Sequence, residues 1–114
     1  MLTIPTSGLL CQGHEIILHW PEPHEFDAIT ALRNSPQTLQ WFLDQQPLDP
    51  MTNRQWLAQG MKRPQDALLS IRLKKDHTFL GTIGWSDWDL EKETAWFGRI
   101  MVDLNKLQNL RSSF

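Results

Sequence analysis

The sequence has no tyrosine, one cysteine and no long apolar run. A single cysteine, Cys11, excludes an intrachain disulfide and a multi-cysteine metal site, and its apolar neighbours favour an inert buried thiol over a nucleophile. No stretch approaches the roughly 18–20 apolar residues that span a membrane. The N-terminus lacks the basic cluster that precedes the apolar part of a secretory signal. We therefore expect a cytoplasmic protein without a membrane partner.

The charge balance lacks a surplus of either sign. The 11 Lys+Arg and 13 Asp+Glu residues give a net charge of −2, with both signs interspersed, which argues against nucleic acid as a partner. With 114 residues, of which 40% are hydrophobic, the chain is long enough for one packed core and short for two domains. We expect residues 1–114 to form a single soluble domain.

The common catalytic and metal-binding motifs are also absent. The sequence contains no Gly-x-Ser-x-Gly elbow, no glycine-rich phosphate loop and no paired metal-ligand spacing. His14, His19 and His24 recur every five residues, but a strand places the first two on opposite faces and the third follows in a helix. The pattern predicts that no metal is bound.

Hydrophobic periodicity predicts an α+β domain, with a mixed or antiparallel sheet and helices packed on it. A short extended segment at 9–11 and a glycine turn precede the first long strand. The last three strands form an antiparallel meander. The strands are expected at 15–20, 67–74, 78–85 and 94–102, and the helices near 23–34 and 50–59.

Several local features refine this prediction. Pro23 suits the first turn of the first helix, and Asp49 suits the N-cap of the second. Alternation over 67–74 predicts one wet face that carries Ser70, Arg72 and Lys74. The next strand is expected to place Phe79, Ile83 and Trp85 on one side. The polar stretch 86–92 is expected to be a turn.

Two residue clusters near that turn have a structural and a functional interpretation. Four carboxylates crowd it: Asp87, Asp89, Glu91 and Glu93. They suit a solvated turn, or a group that holds or deprotonates an amine. Three tryptophans lie on the same two strands: Trp85, Trp88 and Trp96. They suit packing, or an aromatic platform for a sugar or a planar ligand.

The ordered layout resembles the N-terminal half of a GNAT-superfamily N-acetyltransferase, of the branch that acetylates ribosomal proteins and amino sugars. The segment "EIILHWPEPHEFDAITALRNSPQTLQWF" is similar to that family's first strand, its first helix and its R-N-x-P…W-F segment. "RQWLAQ" at 54–59 is similar to the second helix. "FLGTIGWSDWD" at 79–89 and "TAWFGRIMVD" at 94–103 are similar to the third and fourth strands.

The resemblance implies an acyltransferase that uses acetyl-CoA and direct attack of an amine on the thioester. In the family the fourth strand lines the acyl-CoA around a bulge, which here implies cofactor-binding roles for Ile100, Met101 and Val102. A glycine-rich loop for the pyrophosphate is expected next. The matching stretch begins at Gln108 and places Arg111, which meets phosphate by charge, where a glycine is usual.

The resemblance also implies an acceptor site. The acceptor is a small-molecule amine or a protein N-terminus, walled by Trp41, Phe42 and Trp96. Many relatives have a glutamate after the alanine of the fourth strand, whereas Trp96 follows Ala95 here. The expected catalytic carboxylates are therefore Glu93 and Asp87, acting through water.

A second interpretation is a truncated, non-catalytic remnant that acts as a binding or dimerisation module. The family's fifth strand, C-terminal helix and tyrosine acid have no counterpart in these 114 residues. Strand 94–102 would then present an open apolar edge to a second copy. On this interpretation the chain self-associates and binds acetyl-CoA weakly or not at all. A sugar-binding module that rests on the tryptophans is a third interpretation.

Overall fold

A five-stranded antiparallel sheet in the order β1-β2-β3-β4-β5 organises the chain. The computed structural model describes residues 9–42, 45–89 and 91–111, and the side chains of residues 10, 61, 109 and 110, with those of Cys11 and Arg111, lie outside this description. The strands are β1 Leu9–Gln12, β2 Ile16–His19, β3 Ala67–Leu73, β4 Phe79–Asp89 and β5 Thr94–Val102. The α-helices are α1 Phe26–Asn34, α2 Pro36–Leu39, α3 Pro50–Ala58 and α4 Leu104–Arg111, and 3-10 turns span Pro23–Glu25 and Gly60–Lys62. The α+β prediction is confirmed.

The predicted helix starts are confirmed by their caps. Pro23 opens the 3-10 turn that leads into α1, and the side chains of Glu22 and Glu25 each accept from the other's backbone in a capping box. Asp49 caps α3, where its carboxylate accepts from the Thr52 amide at 2.9 Å. Each cap satisfies backbone donors that the first helical turn leaves without intrahelical partners.

The meander is confirmed, but the β4–β5 hairpin is longer than the sequence indicates. Ser86 pairs with Trp96 and Asp89 pairs with Thr94, so β4 runs four residues past the predicted end at 85. The prediction of a turn from residue 86 is therefore wrong. One face of this hairpin is open to solvent. Polar side chains can therefore occupy that face while their backbones continue the strand.

The predicted wet face of β3 is wrong. Ser70 is 0% exposed and Arg72 is 2% exposed. Both side chains bind the buried carboxylate of Glu25, which accepts from Ser70 Oγ at 3.1 Å and from Arg72 Nε and Nη2 at 2.9 and 2.6 Å. A second ion pair joins Arg72 Nη1 to Glu22 Oε1 at 3.0 Å. A polar residue in a period-2 pattern is buried when a partner from another element covers it.

The predicted common face of three β4 residues is also wrong, because the strand contains a bulge. Ile71 pairs with Gly81 but Arg72 pairs with Phe79, so Leu80 is an extra residue between the two pairs. An extra residue shifts the alternation by one. Phe79 therefore packs with the helices, whereas the other two side chains pack on the opposite face.

Two apolar clusters lie on the two faces of the sheet. The helix-side cluster comprises Phe26, Ile29, Leu57, Leu68 and Met101. The opposite cluster comprises Trp20, Ala67, Leu69 and Trp85. Consecutive β3 residues contribute to opposite clusters, as a strand buried on both faces requires.

β4 approaches the backbone of β5 closely at Gly81, whereas the space beside Gly98 is open. Alanine substitutions at these two glycines should therefore differ in their effect on stability. A methyl group on Gly81 would collide with the backbone carbonyl of Met101, whereas one on Gly98 meets no atom within 4 Å. We expect Gly81→Ala to lower the free energy of unfolding by about 2 kcal/mol or more, because a clash with backbone cannot relax cheaply. Gly98→Ala should change it by less than about 0.5 kcal/mol. Urea unfolding measures both, and equal losses would contradict this register of β4 against β5.

The buried carboxylate of Glu25 should make the stability of the fold sensitive to acid. Burial raises the pKa of Glu25, but hydrogen bonds from Arg72 and the Glu22 backbone outweigh it and hold the pKa below the ordinary 4.5. The unfolded chain then binds the proton more tightly, so this stabilisation is complete above the unfolded pKa and is lost as the pH falls through the folded pKa.

We expect the urea midpoint to fall between about pH 6 and about pH 3, and to fall less in Glu25→Gln. The variant should also lose roughly 2–4 kcal/mol at neutral pH, because Arg72 loses a buried partner. Asp27→Asn, at an exposed carboxylate on α1 that pairs with Arg54, is the control. Parallel pH profiles for wild type and Glu25→Gln would refute the assignment.

Candidate functional site

A bulge interrupts β5 in the middle of its pairing with β4. Gly84 pairs with Gly98 and Thr82 pairs with Met101, so β5 advances three residues while β4 advances two. Arg99 in this bulge has a φ of 53°, a left-handed value that is unusual for a side-chain-bearing residue. The Thr82 hydroxyl donates to the Arg99 carbonyl at 2.9 Å and fixes the bulge in place. A bulge leaves the extra residue outside the regular ladder, so backbone groups there that no side chain engages can bind a ligand.

Two adjoining cavities lie near this bulge. The larger one has a volume of about 470 Å³ and lies between the helices and the bulged edge of the sheet. The helix layer contributes Arg33 and Trp56, the segment after α2 contributes Phe42, and β5 contributes Arg99 and Met101. This volume is in the range of small-molecule sites. Two guanidinium groups and six apolar side chains thus share one space.

The walls of the larger cavity are fixed by polar contacts between helices. Asn34, at the end of α1, exchanges two hydrogen bonds with the backbone of Leu48, at 2.8 and 2.7 Å. Asn53 on α3 donates to the Thr30 hydroxyl on α1 at 2.8 Å. These contacts hold α1, α3 and the segment before α3 in one arrangement, so the cavity is preformed.

A smaller cavity of about 240 Å³ adjoins the larger one, and the two share Phe42 and Met101. Five of the side chains expected at the site from the sequence line it: Trp41, Phe42, Ile100, Met101 and Val102. Trp41 nevertheless keeps 82% of its surface exposed. The structure therefore brings the predicted cofactor strand and two of the predicted acceptor residues together.

The other predicted site residues lie elsewhere. Trp96 is 75% exposed on β5, and Asp87 and Glu93 are exposed near the β4–β5 turn with φ values of 54° each. None of the three lines the larger or the smaller cavity. The roles of Asp87 and Glu93 as catalytic bases that act through water stay predictions.

The expected pyrophosphate loop does not occupy its predicted place. Residues 108–111 belong to helix α4, which begins at Leu104 directly after β5. Asp103 caps this helix: its carboxylate accepts from the Lys106 amide at 3.2 Å, and its carbonyl from the Leu107 amide at 3.1 Å. Lys106 Nζ donates to the Phe79 carbonyl at 2.9 Å. The start of α4 is thus closed by the chain's own carboxylate.

The tryptophans divide between packing and exposure to solvent. Trp85 is 3% exposed and makes edge contacts with Trp88 at 5.0 Å and with Trp20 at 6.3 Å between ring centroids. Its indole N–H donates to the Pro64 carbonyl at 2.7 Å. These rings are packing residues, and Trp96 alone of the predicted cluster faces solvent.

Metal clusters and membrane-spanning helices are both absent from the described part of the chain. No group of three or more His, Cys, Asp or Glu side chains within residues 9–42, 45–89 and 91–111 has the geometry to hold a metal ion. No helix in the same three ranges is long and apolar enough to cross a membrane.

Several cavity residues were missed by the sequence analysis: Arg33, Asn53, Trp56 and Arg99. Trp56 on α3 is half-buried, and its ring borders the cavity. The arginines carried no signal, since a charged residue at a helix end or in a strand is usually solvated.

Comparison with solved structures identifies the fold. The chain matches apo FdhC, a nucleotide-linked sugar GNAT, with a TM-score of 0.62 and 17% identity over 78% of this chain. It also matches a protein assigned as a ribosomal-protein-serine acetyltransferase from Vibrio cholerae, with a TM-score of 0.58 and 14% identity over 86% of this chain. Neither family models nor curated protein sequences match this sequence.

The chain spans 51% and 57% of these two structures, about half the length of the acetyltransferases that it matches. The resemblance drawn from the sequence is confirmed at the level of the fold: the protein has a GNAT-like fold over part of the GNAT domain.

Proposed function

We propose that this chain supplies the acceptor pocket and the acyl-binding strand of a GNAT-type N-acyltransferase, which transfers an acetyl group from acetyl-CoA to an amine. The observation that carries the proposal is the bulge at Arg99 beside a preformed cavity. The fold alone leaves the acceptor open, because the names of the two neighbours point to a nucleotide-linked sugar and to a ribosomal-protein serine.

The acyl end of the cofactor fits the described residues. β5 is an edge strand of the described sheet, so its outer backbone groups pair with no other described strand. Such an edge offers amide donors and acceptors in a row to an extended amide-containing arm such as pantetheine. Donors that the bulge frees suit the oxygen of a thioester carbonyl, on which negative charge develops when an amine attacks.

The diphosphate end of the cofactor does not fit. A helix N-terminus binds phosphate through free amides and its positive dipole end, but at α4 the Asp103 carboxylate already accepts from the Lys106 amide. Its negative charge would also repel a diphosphate. This supports the expectation of weak acetyl-CoA binding, with the affinity residing in the acyl and pantetheine part.

Acyl transfer is tested by thiol release from acetyl-CoA and from S-acetylpantetheine, in the presence of a panel of primary amines. We expect release that depends on the amine, with similar apparent affinities for the two donors, because the diphosphate adds little. No amine-dependent release from either donor would overturn the proposal. A much tighter affinity for acetyl-CoA would show that a diphosphate site exists.

The bulge is tested by Thr82→Val, which removes the hydroxyl that holds the Arg99 carbonyl. We expect transfer to fall roughly ten- to hundredfold, because small displacements of reacting groups have effects of that size. Thr78→Val is the matched control, since its hydroxyl binds Asp76 in the β3–β4 turn. Thermal denaturation checks that both variants fold, and equal losses in both would contradict a role for the bulge.

The alternative function, a dimerisation module, is favoured by one observation: Trp96, Phe97 and Ile100 on the edge strand are 75%, 69% and 64% exposed. Residues 94–102 contain no proline and one charge, Arg99, so little guards the edge against pairing. We propose that two copies pair antiparallel through this strand.

Size exclusion with light scattering tests self-association. We expect a concentration-dependent dimer or a larger species for the wild type, and a shift towards monomer in Phe97→Lys. Met51→Lys, at a side chain on α3 that is 66% exposed, introduces the same charge away from the edge and should leave the association unchanged. A wild type that stays monomeric at every concentration would refute this proposal.

A further inference from the structure

The guanidinium of Arg33 borders the larger cavity and belongs to a half-buried side chain. It lies 3.6 Å from the centroid of the Phe42 ring, and its Nη1 is buried and has no hydrogen-bond partner among the described residues. Within residues 9–42, 45–89 and 91–111, no carboxylate pairs with it. Arginine stays charged and cannot shed its proton to relieve this. A buried donor of this kind is unusual, and an ordered water or a ligand would complete it.

A second guanidinium approaches from the sheet. Arg99 lies in the β5 bulge, its Nη1 is 2.5 Å from Asp66 Oδ1, and its Cζ is 5.4 Å from the centroid of the Trp56 ring. The contact with Asp66 uses one of the three guanidinium nitrogens of Arg99. Because a guanidinium carries five N–H donors, this contact does not use all of them. Arg33 and Arg99 thus border the same space from the helix layer and from the bulge.

One acidic side chain, Asp49, also borders the cavity among the described residues. Its Oδ2 accepts from the amide and from the hydroxyl of Thr52, both at 2.9 Å. Asp49 therefore serves the α3 cap and leaves Arg33 unpaired. The lining nevertheless carries charges of both signs, which complements a ligand that carries both an ammonium and an anionic group.

We propose that the larger cavity binds an acceptor amine that also carries an anionic group, a carboxylate or a phosphate, through Arg33 and Arg99. This inference rests on the proposed acyl transfer, because it names the acceptor class of the same site. The planar fork of arginine donates two parallel hydrogen bonds to either oxyanion. Since Arg99 belongs to the bulge, the anion would be anchored beside the place where the acyl group is expected.

The test is a calorimetric titration of the whole chain, without any thioester, with two matched pairs of amines. The first pair is leucine and leucinamide, and the second is glucosamine 6-phosphate and glucosamine. We expect the anionic member of at least one pair to bind about tenfold tighter or more, as a charge-assisted hydrogen-bond pair predicts. Discrimination within the first pair alone identifies a carboxylate, and within the second alone a phosphate.

Arg33→Met should bring the two members of the discriminating pair to within about threefold of each other, and Arg33→Lys should give an intermediate ratio, because it keeps the charge and loses the fork. Arg54→Met is the matched control, since Arg54 is an exposed α3 residue that pairs with Asp27 outside the cavity. It should leave the ratio unchanged.

The ratio of affinities within each pair of amines is measured on the wild-type protein. The inference is therefore testable even if Arg33→Met fails to fold. Equal affinities within both pairs, no binding of any of the four amines, or equal effects of Arg33→Met and Arg54→Met would overturn it. Binding of an anionic amine without acetyl transfer would refute the proposed function alone. Transfer to charged and neutral amines at equal efficiency would refute this inference alone.

Discussion

The buried ion pair between Glu25 and Arg72 constrains the rest of the structure. It joins the start of the helical layer to Arg72 near the end of β3, and Arg72 Nη1 extends it to Glu22 at the N-cap. Two charges removed from water are tolerated only when their hydrogen bonds are complete, and Glu25 also accepts from Ser70 and from the Glu22 amide. This pair therefore fixes where α1 crosses the sheet, and hence where the cavity lies beside it.

The cavity lies where the packing between the helices and the sheet ends. α1 and α3 are joined by Asn53 and Thr30, and Phe26, Ile29 and Leu57 fill the space between these helices and the sheet. Nearer to β5 these side chains no longer fill the space between the helices and the sheet. The larger cavity lies there, bordered by Arg33, Arg99 and the half-buried Trp56. A cavity with a mostly apolar lining and a few polar groups is the arrangement that small-molecule sites commonly have.

The two ends of the proposed cofactor meet different environments. The bulge and the edge of β5 present backbone groups that suit an acyl-pantetheine arm, whereas the Asp103 carboxylate occupies the first turn of α4. The apolar edge that would receive the arm is the same edge that would receive a second copy of the chain. The two proposed uses of β5, acyl transfer and self-association, would therefore compete, and a ligand on β5 would suppress pairing.

The sequence by itself determined the elements. The proline and acidic caps placed the helix starts, and a run rich in β-forming residues placed 94–102 as a strand with the bounds that the structure shows. Family resemblance selected Phe42, Ile100, Met101 and Val102, which the structure brings to one cavity. These signals are local, since a cap needs its first turn and a strand needs its own alternation.

Only the tertiary structure decided which polar residues are buried and which cations share a cavity. Ser70 and Arg72 alternate as a wet face would, and are buried because Glu25, more than forty residues earlier, covers them. Arg33 and Arg99 are 66 positions apart in the sequence and meet at one cavity through the crossing of α1 over the sheet and the bulge in β5. A local pattern cannot encode a partner supplied by another element, because burial depends on what packs against a residue and not on the residue alone.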